Sequence, residues 1–255
     1  MTTIDESVGN DFRIGDTLSK VFSVYFRNFI PFNLLVLIIA APILVLVLFT
    51  DILSYGNGVE AVDTLLGIVA LIAVILTFVF YFVSAAAITH GVFQDLTGKP
   101  VNFTESFSHG LSVAVPTILA GIVVSVLSFL GMMVFFIPGI IIFMILMVTI
   151  PVIVIENPGV FASLGRSAEL TKGNRWALFG ILLIFMVIVI VVSIVGSLIS
   201  GIIAAMGMEI VGLIVSIAFQ IFYTAIGPVL YAVVYNNLRV AKEGISTDQI
   251  VSVFE

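Results

Sequence analysis

The chain has 255 residues, 61% hydrophobic and only 9% charged, with a formal charge of -6 and a mean hydropathy of +1.33. Soluble domains average about 45–50% apolar and about 25% charged residues, so composition excludes that class and predicts an integral membrane protein. Having no Cys and only two His removes disulfides and thiolate metal sites and leaves little for a histidine metal centre, so no metal or other cofactor is expected; a pI near 4.8 with scattered cations offers no basic domain for nucleic acid.

Residues 1–11 are polar, acidic and without periodicity, which predicts a flexible tail with no apolar core of a secretory signal. From Phe12 onward, Ile14, Leu18, Val21, Phe22, Tyr25 and Phe29 recur at helical spacing, and Asp16, Lys20, Ser23 and Arg27 fall opposite them. Arg13, Lys20 and Arg27 are seven apart and share a face. The stretch reads equally as an amphipathic helix lying in the membrane interface and as a helix packed on the protein's own cytoplasmic side, and the two are compatible.

The first span is expected over 28–49, with Pro31 near its start and Pro42 inside, followed by a loop at 50–63 carrying Asp51, Glu60, Asp63 and Gly56-Asn57-Gly58. A second span, 65–88, ends near His90. The polar interval 94–112 contains Asn102-x-x-Glu105, a capping pattern that opens a short helix. The third span runs over 113–136, Ile137-Pro138-Gly139 reads as an uncharged reversal, and the fourth, 140–155, is short unless it begins within that turn.

In the polar interval 156–176, Asn157 reads as an N-cap with Pro158 at the first helical position, Lys172 in the last turn and Gly173 just beyond. The fifth span, 177–205, carries Ser193, Ser197, Gly201 and Ala205 every four residues, a face on which another helix can approach closely. The sixth span, 210–235, is followed by Asn236, Asn237, Arg239 and Lys242; Ser246-x-x-Gln249 then opens a short C-terminal helix over 246–255.

Six spans place all nine basic residues (Arg13, Lys20, Arg27, Lys99, Arg166, Lys172, Arg175, Arg239 and Lys242) on the side shared by both termini, and none on the other. That bias predicts a cytoplasmic, inner-membrane location with both termini cytoplasmic. Stretches 12–27, 102–110 and 158–172 each precede an odd-numbered span. The expected fold is therefore an all-α integral membrane protein, one domain over 12–245: six transmembrane helices as three hairpins, each preceded by a short cytoplasmic interfacial amphipathic helix. Whether the hairpins are a true duplication stays open.

Ile150-Pro151-Val152-Ile153-Val154-Ile155-Glu156-Asn157-Pro158-Gly159-Val160, followed by Leu164-Gly165-Arg166-Ser167, Leu170, Lys172-Gly173 and Trp176, resembles the signature of the membrane domain found ahead of the catalytic domain in some bacterial glycerophosphodiester phosphodiesterases, and in related stand-alone inner-membrane proteins of unknown function. Phe12-Arg13-Ile14-Gly15-Asp16-x-Leu18 and Tyr25-Phe26-Arg27-Asn28-Phe29 are similar to that family's opening. The sequence stops shortly after the sixth span, so the resemblance is expected to extend to the membrane domain without phosphodiesterase activity.

Ionisable groups inside a span are costly and mark relays or catalysis, yet here every Asp, Glu, Lys and Arg falls in a loop or at a span end. Glu156 is expected to form a structural salt bridge with Arg166, Lys172 or Arg175, substrate binding being the sharper alternative; His90 reads as an interfacial hydrogen-bonding residue rather than a ligand. In the sixth span Ser216, Gln220 and Thr224 share a face, read either as interhelical hydrogen bonding or as a polar path for a solute.

Motifs of soluble enzymes are missing, and the expected function is non-enzymatic, in envelope or lipid homeostasis. The partners are anionic lipid headgroups or a membrane protein, a homo-oligomer included, bound through Arg13, Lys20, Arg27, Arg166, Lys172 and Arg175. The alternative is a transporter or channel for a small or lipidic solute lined by the sixth span, and an enzyme ranks third.

Overall fold

The computed structural model describes residues 13–54 and 60–244, and their side chains except at 40, 43–54 and 60–65. Every regular element among them is helical: α1 (Ile14–Arg27), α2 (Phe29–Ser54), α3 (Glu60–Leu96), α4 (Phe103–Ser112), α5 (Ala114–Val134), α6 (Phe136–Leu146), α7 (Thr149–Glu156), α8 (Val160–Thr171), α9 (Arg175–Ala205) and α10 (Glu209–Glu243). The tail at 1–11, the Gly56-Asn57-Gly58 turn and the C-terminal helix expected over 246–255 lie outside the described residues.

Five stretches are long and apolar enough to cross a membrane: Leu66–Leu96, Ala114–Val134, Phe136–Glu156, Arg175–Ala205 and Glu209–Glu243. A sixth results if α1 and the start of α2, which meet at 83° at Asn28, are taken together. Large apolar side chains are exposed on these helices, among them Val74, Phe129, Ile202 and Leu213 at 60–65% accessible. In water such a surface would be an aggregation hazard, and hydrocarbon is the solvent that suits it, so the chain is membrane-embedded.

Three short helices precede α2, α5 and α9. The Asn102 side chain accepts from the Glu105 backbone N–H at 3.1 Å and so caps α4, as the sequence pattern predicts. Helix α8 starts differently. Asn157 is not its N-cap but the left-handed C-cap of α7, at φ 47°, and Gly159, at φ 91°, occupies the N-cap position without a side-chain cap. A short polar residue tolerates the left-handed region, so Asn157 serves the end of one helix rather than the start of the next. Gly173 at φ 93° lies just past α8, where a residue with no Cβ is favoured.

The helices outrun the hydrophobic runs that announce them. Helix α3 continues to Leu96 and α10 to Glu243, so Gln94, Asp95, Asn236, Asn237, Arg239 and Lys242 are helical rather than loop. At about 1.5 Å per residue, the 35 residues of α10 extend well past a hydrocarbon core of about 30 Å. The reversal before α6 rests on Phe135 alone, in extended conformation; Pro138 and Gly139 already belong to α6, and the helix breaks again at Met147 and Val148 before α7.

Helix α2 packs on α3, α5 on α6 and α9 on α10. The principal core lies where the short helices gather, around Tyr25, Phe32, Ile88, Leu178, Leu230 and Tyr235, all under 2% accessible. The opposite halves of the long helices carry most of the exposed apolar side chains.

Candidate functional site

The end of the molecule bearing the short helices holds a set of linked charges. Glu156 closes α7. Its carboxylate accepts from Arg166 Nε of α8 at 3.1 Å and from the Tyr235 hydroxyl of α10 at 2.7 Å, and Arg239 Nε stands 3.9 Å away. Arg166 also bonds Glu243, which accepts from Arg239 Nε at 3.0 Å, one turn earlier on the same helix. Glu169 approaches Arg166 at 3.6 Å from the exposed face of α8. Two guanidinium groups and two carboxylates thus compensate one another where four side chains are only 15–25% accessible.

Burial works against the charge of Arg166, but its bonds to Glu243 and Glu156 win and raise its pKa above the usual arginine value. Burial likewise opposes the charge of Glu243, yet the bonds from Arg166 and Arg239 hold its pKa below the usual glutamate value. A carboxylate held as Glu243 is makes a poor proton acceptor at neutral pH, and both guanidinium groups stay charged. The arrangement is a clamp joining α7, α8 and α10.

A second clamp sits on the α1–α2 corner. Asp95, on the last turn of α3, accepts from Arg27 Nε at 2.8 Å and from Asn28 Nδ2 at 2.8 Å. Gln94 beside it accepts from the Asn102 backbone N–H at 3.1 Å and from Ser106 Oγ at 3.2 Å, fixing α4 to α3. Asn237 of α10 donates to Thr17 Oγ1 of α1 at 3.1 Å.

The cations expected on one lipid-facing set divide between these roles. Arg27 and Arg166 are committed to internal carboxylates. Lys20 is half-buried, and burial lowers its pKa although Asp95 opposes the shift. Arg13, Lys172 and Arg175 are exposed and have no carboxylate within 4.0 Å among the described residues. Beside Arg175 stands Trp176, 87% accessible, and Phe161 at the start of α8 is 80% accessible.

His90 stacks on His109 of α4 with ring centroids 4.3 Å apart, and His109 Nε2 lies 3.2 Å from the Val154 carbonyl of α7. Among the described residues no group of three His, Cys, Asp or Glu side chains is arranged to hold a metal. Ser216 and Gln220 line a cavity of about 60 Å³ between α9 and α10 with Ser193, Gly196, Ser197, Phe219 and Tyr223, while Thr224, one turn on, is not part of its wall.

Tyr235, Arg239, Glu243, Asp95 and His109 were missed as partners. The Arg239-x-x-x-Glu243 spacing is an i,i+4 ion pair, a signal that becomes visible only once α10 is carried through Asn236 and Asn237. Searches against family models, curated proteins and solved structures return no match to the chain.

Proposed function

We propose that the chain is a non-enzymatic, multi-pass protein of the cytoplasmic membrane. It binds anionic lipid headgroups through Arg13, Lys172 and Arg175, in the service of envelope or lipid homeostasis. The observation behind this reading is the division of the cations: Arg27 and Arg166 hold helices together through internal carboxylates, whereas Arg13, Lys172 and Arg175 are exposed with no carboxylate partner among the described residues, and Arg175 is followed by the exposed Trp176. Trp is favoured at the headgroup level, and each cation near an anionic leaflet contributes about 1 kcal/mol.

The same reading takes the six spans as three hairpins, α1, α4 and α8 as interfacial lead-in helices, and both termini as cytoplasmic, on the strength of the nine-to-none distribution of Lys and Arg. The resemblance to the phosphodiesterase membrane domain belongs to this proposal too. The transporter alternative rests on the α9–α10 cavity of about 60 Å³, lined by Ser216 and Gln220 of the sixth span.

Replacing Arg13, Lys172 and Arg175 together by Gln, in full-length protein in nanodiscs, is expected to weaken retention of phosphatidylglycerol in native mass spectrometry by about 100-fold at low salt. Replacing Arg166 alone by Gln should leave that retention unchanged while lowering thermal stability. Equal retention by the triple variant and the parent chain would refute the headgroup reading.

A further inference from the structure

The ladder of small residues on α9 is expected to receive a neighbouring helix, and α10 is the neighbour available in the chain. The two helices meet in a different register. A Cβ added to Gly196 would lie 2.6 Å from the Phe219 ring, and one added to Gly212 would lie 2.7 Å from the Ser200 carbonyl oxygen and 3.3 Å from the Ala204 Cβ. The close-approach row is therefore Gly196, Ser200 and Ala204. Ser197, Gly201 and Ala205, one residue further round the helix, are exposed, and nothing lies within 4 Å of the place where a Gly201 Cβ would be.

On the adjoining surface of α10, Gln220 and Ser216 are exposed, and they share a cavity wall with Ser197. The Ser193 and Ser197 hydroxyls donate to carbonyls of their own helix, Val189 and Ser193 at 2.7 and 2.8 Å, and among the described residues the Gln220 amide bonds to neither. Gln220 and Ser197 lie roughly 12–17 Å from the α9–α10 turn, near the middle of a hydrocarbon core about 30 Å thick. Hydrocarbon offers an amide no hydrogen-bond partner, and a polar side chain at that depth normally bonds to another helix.

We propose that this face, Ser197, Gly201 and Ala205 of α9 together with Ser216 and Gln220 of α10, is the seam of a homodimer in the membrane. A carboxamide is self-complementary, one amide donating to the carbonyl of another, so two copies related by a two-fold axis satisfy both Gln220 side chains with the same surface. The small residues let the second copy's backbone come close enough for those bonds to form. The inference is independent of the headgroup proposal, because it involves none of the cations.

The test is association of the labelled full chain in phospholipid vesicles at increasing lipid dilution, counted by single-molecule photobleaching. The parent chain is expected to dimerise reversibly. Gln220→Leu should lower the association constant about three- to twentyfold, the range given by interhelical hydrogen bonds of ~0.6 to ~1.7 kcal/mol, and Gly201→Leu should abolish dimers. Both positions are exposed, so circular dichroism should show unchanged helix content in each variant. The chain has no cysteine of its own, so Gly201→Cys should give a covalent dimer on oxidation and Ile72→Cys, on the exposed face of α3, little. A parent chain that stays monomeric at every dilution overturns the proposal, whatever partner then covers the face. So does a Gln220→Leu chain that associates like the parent.

Discussion

The Tyr235 hydroxyl donates to Glu156 Oε1 at 2.7 Å, joining the C-terminal third of α10 to a carboxylate 79 residues earlier. Through that carboxylate Arg166 of α8 is held against α10, and the three elements α7, α8 and α10 share one compensated charge set. Removing a single member leaves the others desolvated without a partner.

Glu156→Ala is therefore expected to cost about 1–3 kcal/mol, below the figure for a fully buried pair because the groups keep some contact with solvent. Glu156→Gln, which still accepts from Tyr235, should cost less. Thermal unfolding of the purified chain in detergent, followed by circular dichroism, measures both. Equal midpoints for Glu156→Ala and the parent would mean that the clamp does not stabilise the fold.

Glu243 gives the clamp a pH signature. Its folded pKa lies below the ordinary value of 4.5, so the unfolded chain takes up the proton first. The stabilisation is complete above about pH 4.5 and is lost as pH falls below that and through the folded pKa. Unfolding midpoints recorded from pH 7 to pH 3 should drop in that acid range, and Glu243→Gln should start lower at pH 7 and vary less with pH.

The α1–α2 corner depends on Asp95. Asp95→Ala leaves Arg27 and Asn28 without their shared acceptor, so the 83° turn loses its tie to α3. Hydrogen exchange of the amides of residues 14–27 should accelerate in this variant, with α9 unaffected. Asp95→Asn, which retains one carbonyl acceptor, should show a smaller acceleration.

Two glycine-to-alanine changes should move stability in opposite directions. A Cβ on Gly110 of α4 would lie 2.7 Å from the Val83 carbonyl oxygen of α3, a backbone atom that cannot swing away, so Gly110→Ala is expected to cost about 1–3 kcal/mol. Gly165, exposed within α8, has nothing within 4 Å, and Gly165→Ala should stabilise by about 0.5–1 kcal/mol through helix propensity. Midpoints measured side by side decide whether α4 is docked that closely on α3.

Much of the local structure was legible. Stretches 12–27, 102–110 and 158–172 correspond to α1, α4 and α8, because hydrophobic periodicity, the Asn102 cap and Gly173 act within a few residues of themselves. Helix ends were less legible. Polar residues such as Gln94, Asp95, Asn236 and Asn237 look like loop after a hydrophobic run, yet each is buried or bonded on a helix that simply continues. Asn157 shows the same limit from the other side, since its residue type suits the end of one helix as well as the start of the next.

By itself the sequence determined that this is an all-helical, membrane-embedded chain, because some twenty consecutive apolar residues can satisfy their backbone in hydrocarbon only as helix. Only the tertiary structure decided which cations are spent on internal carboxylates and which remain exposed, and which row of α9 meets α10. The residues paired in the clamp stand 77 and 79 residues apart, at Arg166 with Glu243 and Glu156 with Tyr235. Partnerships of that reach follow from the rotation and register in which whole helices dock, and no periodicity within a single helix specifies them.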